Sequence, residues 1–251
     1  MVYFVGAGTG AADLITVRGM NLIKKADVVI YAGSLVNPAL LELCKEGAAI
    51  HNSAHMTLEE VIETIECAER QGMTTLRLHT GDPAIYGAIQ EQMDILDKKG
   101  IEYDVTPGVS SFLAAAAALK QEYTLPGVSQ TVILTRMAGR TPVPERESIS
   151  SLAQHGSTMV IFLSAGMLQE LQSALLEGAF CPETPAALVY KATWPEERIV
   201  RTPLGKLAEA GAAHGISGTA LVLVGDFLGE DYGRSRLYDP SFTTGFREGC
   251  P

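Results

Sequence analysis

The stretch YFVGAGTGAADLITVRG, Tyr3 to Gly19, is the starting point for interpreting the chain. A short apolar run is followed by Gly6, Gly8 and Gly10, and a helical pattern resumes only at Thr16. This order predicts a buried strand, a tight turn and a helix. The glycines have two interpretations: they serve only the backbone geometry of the turn, or they also let a ligand approach the carboxyl edge of a sheet. Alternate glycines exceed what one turn requires, which favours the ligand.

A dinucleotide is the first ligand to test, because Gly6, Gly8 and Ala11 satisfy the pattern G-x-G-x-x-A. That fingerprint requires a helix that starts within the motif and an acidic residue at the end of the second strand. Here the helical pattern starts late, at Thr16, and the second predicted strand ends in Tyr31. Both departures disfavour a dehydrogenase.

The first half alternates short apolar runs with helical patterns, which predicts an α/β domain with a doubly wound, mostly parallel sheet. Its predicted strands are Val2–Val5, Asp27–Tyr31, Ala48–His51, Thr74–Leu78 and Ile101–Val105, and its predicted helices are Thr16–Lys25, Pro38–Lys45, Thr57–Gln71, a helix from near Ala84 to Gly100, and Ser110–Leu119.

The second half predicts another α/β domain, with a mixed sheet, because WPEERIVRTPL alternates apolar and polar residues like an antiparallel strand. We expect an N-terminal domain at 1–120, a linker at 121–130, a C-terminal domain at 131–228 and an extension at 229–251. The predicted strands are Thr131–Thr135, Thr158–Leu163, Ala186–Tyr190, Arg198–Thr202 and Ala220–Val224, with helices at Gly166–Glu177 and Pro203–Ala213.

Composition excludes several classes of protein. A net charge of −10 argues against a nucleic-acid partner, which needs basic contacts. Four cysteines without a C-x-x-C pair favour reduced thiols in the cytoplasm. The longest apolar run, Phe112 to Leu119, is too short for a membrane span. His51 and His55 have ligand-like spacing but precede the helix cap at Thr57, so we expect no metal site.

Two more turns follow predicted strands of the first half. They are HTGDPAIYG, His79 to Gly87, and TPGVSS, Thr106 to Ser111. Asp82 offers a carboxylate to an ammonium group or to hydroxyls of a ligand. Alternatively, Asp82 caps a helix that begins near Ala84, with Pro83 in its first turn. The sequence leaves both roles open.

The stretches GAGTGAADLITVRG, ADVVIYAGSLV, GDPAIYG and PGVSS together resemble the S-adenosylmethionine-dependent tetrapyrrole (precorrin) methyltransferase family. In the second half, QTVILTRMAGRTPVPE, VYKATWPEERIVRT and SRLYDPSFTTGFREG resemble its members that methylate carbon 11 of a cobalamin precursor. The likeness covers essentially the whole chain. It implies two α/β domains, S-adenosylmethionine bound in the cleft between them and released as S-adenosylhomocysteine, a tetrapyrrole substrate and a homodimer.

The resemblance also implies which residues bind the cofactor. Family members commonly carry G-A-G-P-G in the opening turn, whereas this chain has Thr9 in place of the proline. Because proline fixes φ at about −65°, we expect a looser turn here. The cofactor-binding residues implied are Gly8, Thr9, Thr80, Gly81, Asp82, Ile85, Ser110, Ser111, Leu163 and Ala192.

A sulfonium methyl donor is already activated, so the resemblance requires alignment and exclusion of water rather than a nucleophile. No catalytic base is assigned. His79 is interpreted as a satisfied polar residue at a strand end rather than as a base, although its place beside the cleft leaves the second role open. Arg136 and Arg140 are predicted to bind substrate carboxylates, because the arginine fork suits that group. Their alternative role is that of solvated surface charges.

Related folds methylate other acceptors, including uroporphyrinogen, ribosomal RNA and a modified translation factor. A protein that keeps the cofactor cleft without turnover, as a scaffold, is a further alternative. The sequence does not decide whether the acceptor contains cobalt.

Overall fold

The computed structural model describes residues 1–250, apart from the side chain of Ser34, and the chain divides into two compact units. Unit 1 comprises Met1–Ala114 and Ala192–Pro195, and unit 2 comprises Ala115–Lys191 and the chain from Glu196 onward. The predicted boundaries at 120, 130 and 228 stay predictions. The last residue of the predicted extension, Pro251, lies outside the described residues.

Unit 1 contains a sheet of five parallel strands, in the order β3-β2-β4-β1-β5. Two interior strands, β1 and β4, are almost wholly buried, which explains their near-continuous apolar sequences. This sheet confirms the prediction for the first half. The strands are β1 (Val2–Gly6), β2 (Val28–Tyr31), β3 (Ala49–Asn52), β4 (Thr75–His79) and β5 (Tyr103–Thr106).

Three helix ends of the first half lie where local chemistry predicts them, at Thr16, Thr57 and Gly100. The Thr16 side chain accepts a hydrogen bond from Gly19 N, and Thr57 and Glu60 form a reciprocal capping box. Gly100, with φ of 66°, ends the third helix. The helices are α1 (Val17–Ile23), α2 (Leu58–Arg70), α3 (Gln90–Lys99) and α4 (Ser111–Leu119).

Two helix predictions are wrong. The predicted α-helix Pro38–Lys45 is a 3-10 helix, Pro38–Leu43, whose tighter turns suit such a short segment. The helix predicted from near Ala84 begins only at Gln90. Its predicted first part is irregular because Tyr86 and Ala88 have φ of 56° and 49°, values that a right-handed helix cannot contain.

Unit 2 contains a mixed sheet in the order β6-β7-β10-β8-β9, which confirms the prediction of a mixed sheet. Only the β6–β7 pair is parallel among its four strand pairs in the described residues. The strands are β6 (Val132–Arg136), β7 (Thr158–Phe162), β8 (Pro185–Tyr190), β9 (Arg198–Pro203) and β10 (Ala220–Val224).

The helices of unit 2 pack on this sheet through buried leucines such as Leu171 and Leu175. The predicted helix Pro203–Ala213 is shorter, because Pro203 still belongs to β9 and a 3-10 turn follows it. The helices are α5 (Ile149–Ala153), α6 (Leu168–Leu176) and α7 (Leu207–Ala213). Within residues 1–250, no helix combines the length and the apolar character needed to cross a bilayer.

Candidate functional site

The structure brings together the three predicted turns of unit 1 at the carboxyl edge of the parallel sheet. β1 lies between β4 and β5, so the turns that follow these strands are neighbours. Gly8 N donates to Gly81 O at 3.2 Å, and Gly81 N donates back to Gly8 O at 2.8 Å. A Cβ atom on Gly6 would lie 2.6 Å from Gly108 Cα, and one on Gly108 would lie 2.2 Å from Gly81 O. The three backbones therefore meet at a distance that only glycine allows.

Each glycine of the opening turn has a reason within the protein. Gly6 contacts the backbone of Gly108, and Gly8 has φ of 78°. A Cβ atom on Gly10 would lie 2.2 Å from Cδ1 of Trp194. Close packing explains Gly6 and Gly10, and the positive φ explains Gly8. The three glycines therefore do not by themselves require a ligand, and the ligand interpretation stays a prediction.

Asp82 joins two of the turns. Its Oδ1 accepts a hydrogen bond from Ala84 N at 2.8 Å, and its Oδ2 accepts one from Gly108 N at 2.8 Å. The alternative role as a helix cap is wrong, because the chain after Asp82 forms an irregular turn and the next helix begins at Gln90. The carboxylate instead fixes the turn after β4 against the turn after β5.

Thr193 is a residue of the site that sequence reasoning missed. Its Oγ1 accepts hydrogen bonds from Gly10 N at 2.7 Å and Ala11 N at 3.0 Å, and it lies 2.6 Å from Thr9 Oγ1. Asn37 Nδ2 donates to Gly10 O at 2.7 Å. The buried Thr9 thus gains a side-chain hydrogen bond that a proline at this position could not make. In this segment, only the neighbouring Ala192 was predicted to bind the cofactor, on the basis of the family resemblance.

Strained backbone is concentrated in the predicted loops. Non-glycine residues with positive φ are uncommon, cost on the order of 1–3 kcal/mol each and cluster at functional sites. Five of the seven such residues in the described chain lie in or directly beside the loops predicted to bind the cofactor. These five are Tyr86, Ala88, Leu163, Lys191 and Thr193.

The remaining predicted cofactor residues differ in accessibility. Ser110 is buried, whereas Thr80, Ile85 and Ser111 are partly exposed. Leu163, at the end of β7 in unit 2, is 70 % exposed, which is unusual for leucine. No residue of this set is shown to contact a ligand, so their roles stay predictions.

The two predicted substrate arginines in unit 2 are in different situations. Arg136 Nη1 donates to Met137 O and Thr141 O, both at 3.1 Å, and Arg136 Nη2 donates to Pro142 O at 2.8 Å. Its guanidinium therefore holds its own loop. Arg140 is exposed and makes no hydrogen bond or ion pair within residues 1–250. Arg140 is accordingly the more available of the two for a carboxylate.

Two buried polar atoms lack hydrogen-bond partners among the described residues: His79 Nε2 at the end of β4 and Thr106 Oγ1 at the end of β5. The interpretation of His79 as satisfied is therefore wrong for this nitrogen. Burial, with a further contribution from the charge of Arg77, lowers the pKa of His79 to about 3. The imidazole is thus neutral at physiological pH and a poor proton acceptor. Thr106 is the first residue of the predicted turn TPGVSS, but no role was predicted for its hydroxyl.

Comparison with known proteins assigns this arrangement to a class. Residues 1–208 match the model of the family Tetrapyrrole (Corrin/Porphyrin) Methylases. The chain belongs to this family.

Three proteins show how near its relatives are. The cobalt-precorrin-4 C(11)-methyltransferase of Methanocaldococcus jannaschii is 52 % identical over 98 % of this chain and 96 % of its own. The solved structure of a cobalamin biosynthetic enzyme, cobalt precorrin-4 methyltransferase (CbiF), is 46 % identical, with a TM-score of 0.89 over 91 % of this chain and 96 % of that one. Uroporphyrin-III C-methyl transferase from Thermus thermophilus, complexed with S-adenyl homocysteine, is 26 % identical, with a TM-score of 0.75 over 90 % and 92 % of the two chains.

Proposed function

We propose that the chain transfers a methyl group from S-adenosylmethionine to carbon 11 of precorrin-4 or cobalt-precorrin-4, in the biosynthesis of cobalamin. Near full-length likeness to proteins named for that reaction supports the acceptor and the carbon. The observation that carries the proposal is the concentration of strained residues beside Ile85, at Leu163 and on both sides of Ala192. Backbone strain persists where surrounding contacts enforce it for a purpose such as preorganising a ligand site.

The residues present fit the cofactor chemically. S-adenosylmethionine carries a positive sulfur, an ammonium group and a carboxylate, so its site needs oxygen acceptors and amide donors. The turns after β4 and β5 offer the Asp82 carboxylate, the hydroxyls of Thr80, Ser110 and Ser111, and the amides at the start of α4. No lysine or arginine makes a hydrogen bond or an ion pair with these side chains within residues 1–250. The set is therefore compatible with a cationic sulfur.

The bound cofactor supplies an activated methyl group on a positive sulfur, and the protein contributes position. Holding two reactants in line is worth roughly 7–11 kcal/mol. We assign that task to the joined turns. Gly8 and Gly81 are joined by two backbone hydrogen bonds, and Asp82 is joined to Gly108 of the third turn by another. Arg140 is assigned to a peripheral carboxylate of the macrocycle, and Arg136 to holding the loop that presents it. No residue is assigned as a base.

The decisive experiment is methyl transfer under anaerobic conditions with three acceptors, metal-free precorrin-4, cobalt-loaded precorrin-4 and uroporphyrinogen III, analysed by mass spectrometry with fragmentation. We expect one added methyl group, at carbon 11, and the preferred acceptor identifies the metal requirement. Transfer to uroporphyrinogen III instead would assign the chain to the chemistry named for its more distant relative. Binding of S-adenosylhomocysteine without transfer to any of the three acceptors would support the scaffold alternative.

The proposal includes a homodimer, as the family resemblance implies, in the cytoplasm, as the four cysteines without a C-x-x-C pair favour. Light scattering coupled to size-exclusion chromatography measures the mass directly. A mass of twice the 26.7 kDa of the chain supports the dimer, and a mass of 26.7 kDa contradicts it.

A further inference from the structure

One hydroxyl group joins the segment Ala192–Pro195 to the opening glycine turn. Gly10 N and Ala11 N both donate to Thr193 Oγ1, at 2.7 and 3.0 Å. A hydroxyl oxygen has two lone pairs and one proton. The same oxygen lies 2.6 Å from Thr9 Oγ1, within hydrogen-bond distance, and either hydroxyl can be the donor. Thr193 therefore holds three consecutive residues of the turn at one point.

The backbone conformation that presents this hydroxyl is unfavourable. Thr193 has φ of 68° and Lys191 has φ of 47°, so strained residues stand on both sides of Ala192. Positive φ in a β-branched residue is an outlier that persists only where contacts over-determine it. The three hydrogen bonds of Thr193 Oγ1 are such contacts. They join Thr193 to a turn far away in the sequence, since Thr9 lies 184 positions before it.

Trp194 contacts the same turn. An added Cβ atom on Gly10 would lie 2.2 Å from Trp194 Cδ1 and 2.5 Å from Cγ, so the indole packs directly against the glycine. The chain has a single tryptophan. Its fluorescence emission therefore reports on the contact between this segment and the glycine turn, without interference from a second indole.

We infer that Thr9 and Thr193 form a hydroxyl clasp that positions Ala192 and the glycine turn for the cofactor. The inference rests on the proposed function, since Thr9 and Ala192 are predicted cofactor residues. Thr193 acts through the backbone amides of Gly10 and Ala11, so it is a positioning residue. The clasp also explains how the turn can be held without the proline that the family resemblance leads one to expect: the hydroxyl of Thr9 ties the turn by a hydrogen bond.

The test compares binding of S-adenosylhomocysteine, by titration calorimetry, to the wild type, Thr193→Val and Thr193→Ser. Valine keeps the shape but leaves two amides without their acceptor, so we expect Kd to rise about tenfold or more. Serine restores the hydroxyl, so its Kd stays within about threefold of the wild type. Ligand binding changes the Trp194 emission of the wild type and the serine variant, and this change is lost with valine. KM for S-adenosylmethionine rises with valine, while kcat at saturation stays within a few-fold.

Thr64→Val is the matched control, since it removes the same hydroxyl from α2, where the group donates only to Glu60 O. Its Kd and its emission change remain those of the wild type. If Thr193→Val does not fold, Thr9→Val replaces it, because it removes one of the three hydrogen bonds and is expected to raise Kd by a smaller factor. Wild-type affinity in the valine variants overturns the clasp, even where their melting temperature falls. A wild type that does not bind S-adenosylhomocysteine contradicts both the clasp and the proposed function.

Discussion

Asp82 and Gly108 are joined by one hydrogen bond across the edge of the parallel sheet: Gly108 N donates to Asp82 Oδ2 at 2.8 Å. The other carboxylate oxygen accepts from Ala84 N. The bond spans the point where the backbones of Gly81 and Gly108 come into contact. The Asp82 side chain thus adds a hydrogen bond to the direct backbone contact between two of the three turns.

We predict that Asp82→Ala lowers both stability and cofactor affinity. Hydrogen bonds to a charged group are worth about 1.5–3 kcal/mol each, and part of the loss is offset because Asp82 is only half-buried and water can reach the freed amides. We expect the free energy of unfolding to fall by about 1.5–3 kcal/mol. We expect the Kd for S-adenosylhomocysteine to rise more than about tenfold. Urea unfolding and calorimetry measure the two effects.

The companion variants separate the two roles of Asp82. Asp82→Asn keeps one acceptor oxygen and should lose less than alanine in both measurements. Asp94→Ala removes an exposed carboxylate that accepts only from Gln90 on α3, and should change neither quantity by more than about 0.5 kcal/mol. Lower stability with unchanged affinity would show that Asp82 only supports the fold.

The fold could be predicted from the sequence where short-range chemistry decides it. The capping box of Thr57 and Glu60 and the buried strands are local patterns, and the structure contains them at the predicted positions within one or two residues. The early helix start at Ala84 was wrong because Ile85 and Ile89 have helical spacing by coincidence. Spacing does not reveal the positive φ of the residues between them.

The candidate site was less predictable, because long-range contacts build it. Thr193 contacts the turn at Thr9 across 184 positions, and no motif of the sequence joins the two. The glycines raise the opposite difficulty: the pattern of the opening turn favoured a ligand over backbone geometry, whereas Gly6 is needed to pack against Gly108. The family resemblance indicated the loops, but it could not supply contacts that depend on this chain's own side chains.

Arg77 is a buried cation held by neutral oxygens. Its Nε donates to Gln92 Oε1 at 3.0 Å, and its Nη1 donates to Ile30 O at 2.9 Å. Burial lowers its pKa to about 10, so it remains charged at neutral pH. Gln92 in turn donates to Ala88 O at 2.9 Å, in the strained loop before α3.

We predict that Gln92→Leu lowers the free energy of unfolding by about 2–4 kcal/mol, because it leaves a buried guanidinium short of an acceptor. Gln90→Leu is the matched control, since Gln90 lies on the same helix but is exposed. Its effect should stay within about 0.5 kcal/mol. Equal unfolding midpoints for the two variants in urea would contradict the structural role of Gln92.

The contact between Gly10 and Trp194 leads to a prediction for Gly10→Ala. The added methyl group would lie 2.2 Å from the indole, so the indole or the turn must move. Overpacking of this kind typically costs about 1–3 kcal/mol. We expect a lower melting temperature and a red-shifted Trp194 emission. Gly47→Ala is the control, since it also adds one methyl group. Nothing lies within 4 Å of a Cβ atom at Gly47, so any loss of stability there comes from its φ of 79°. An emission spectrum unchanged by Gly10→Ala would contradict the packing.

His79 makes stability depend on pH. Its pKa is about 3 in the folded protein and about 6.5 in the unfolded chain. Between these values the unfolded chain binds a proton that the folded protein does not, so stability falls as the pH drops from 6.5 towards 3. At pH 5 the loss of stability from His79 is about 2 kcal/mol. The size of this loss depends only on the pKa in the unfolded chain, because the pKa in the folded protein lies well below 5.

His79→Gln removes this titration while keeping a neutral polar side chain. The free energy of unfolding in urea is measured for both proteins at pH 7.5 and pH 5.0, so that all other titrating groups cancel in the comparison. The drop between the two pH values should be smaller in the variant by about 2 kcal/mol. At pH 7.5 the His79 imidazole is neutral in both the folded and the unfolded state. Its titration therefore does not contribute to a difference in stability between the two proteins at that pH. Identical drops in the two proteins would mean that His79 accepts a proton in the folded state, which its burial and its unpartnered Nε2 argue against.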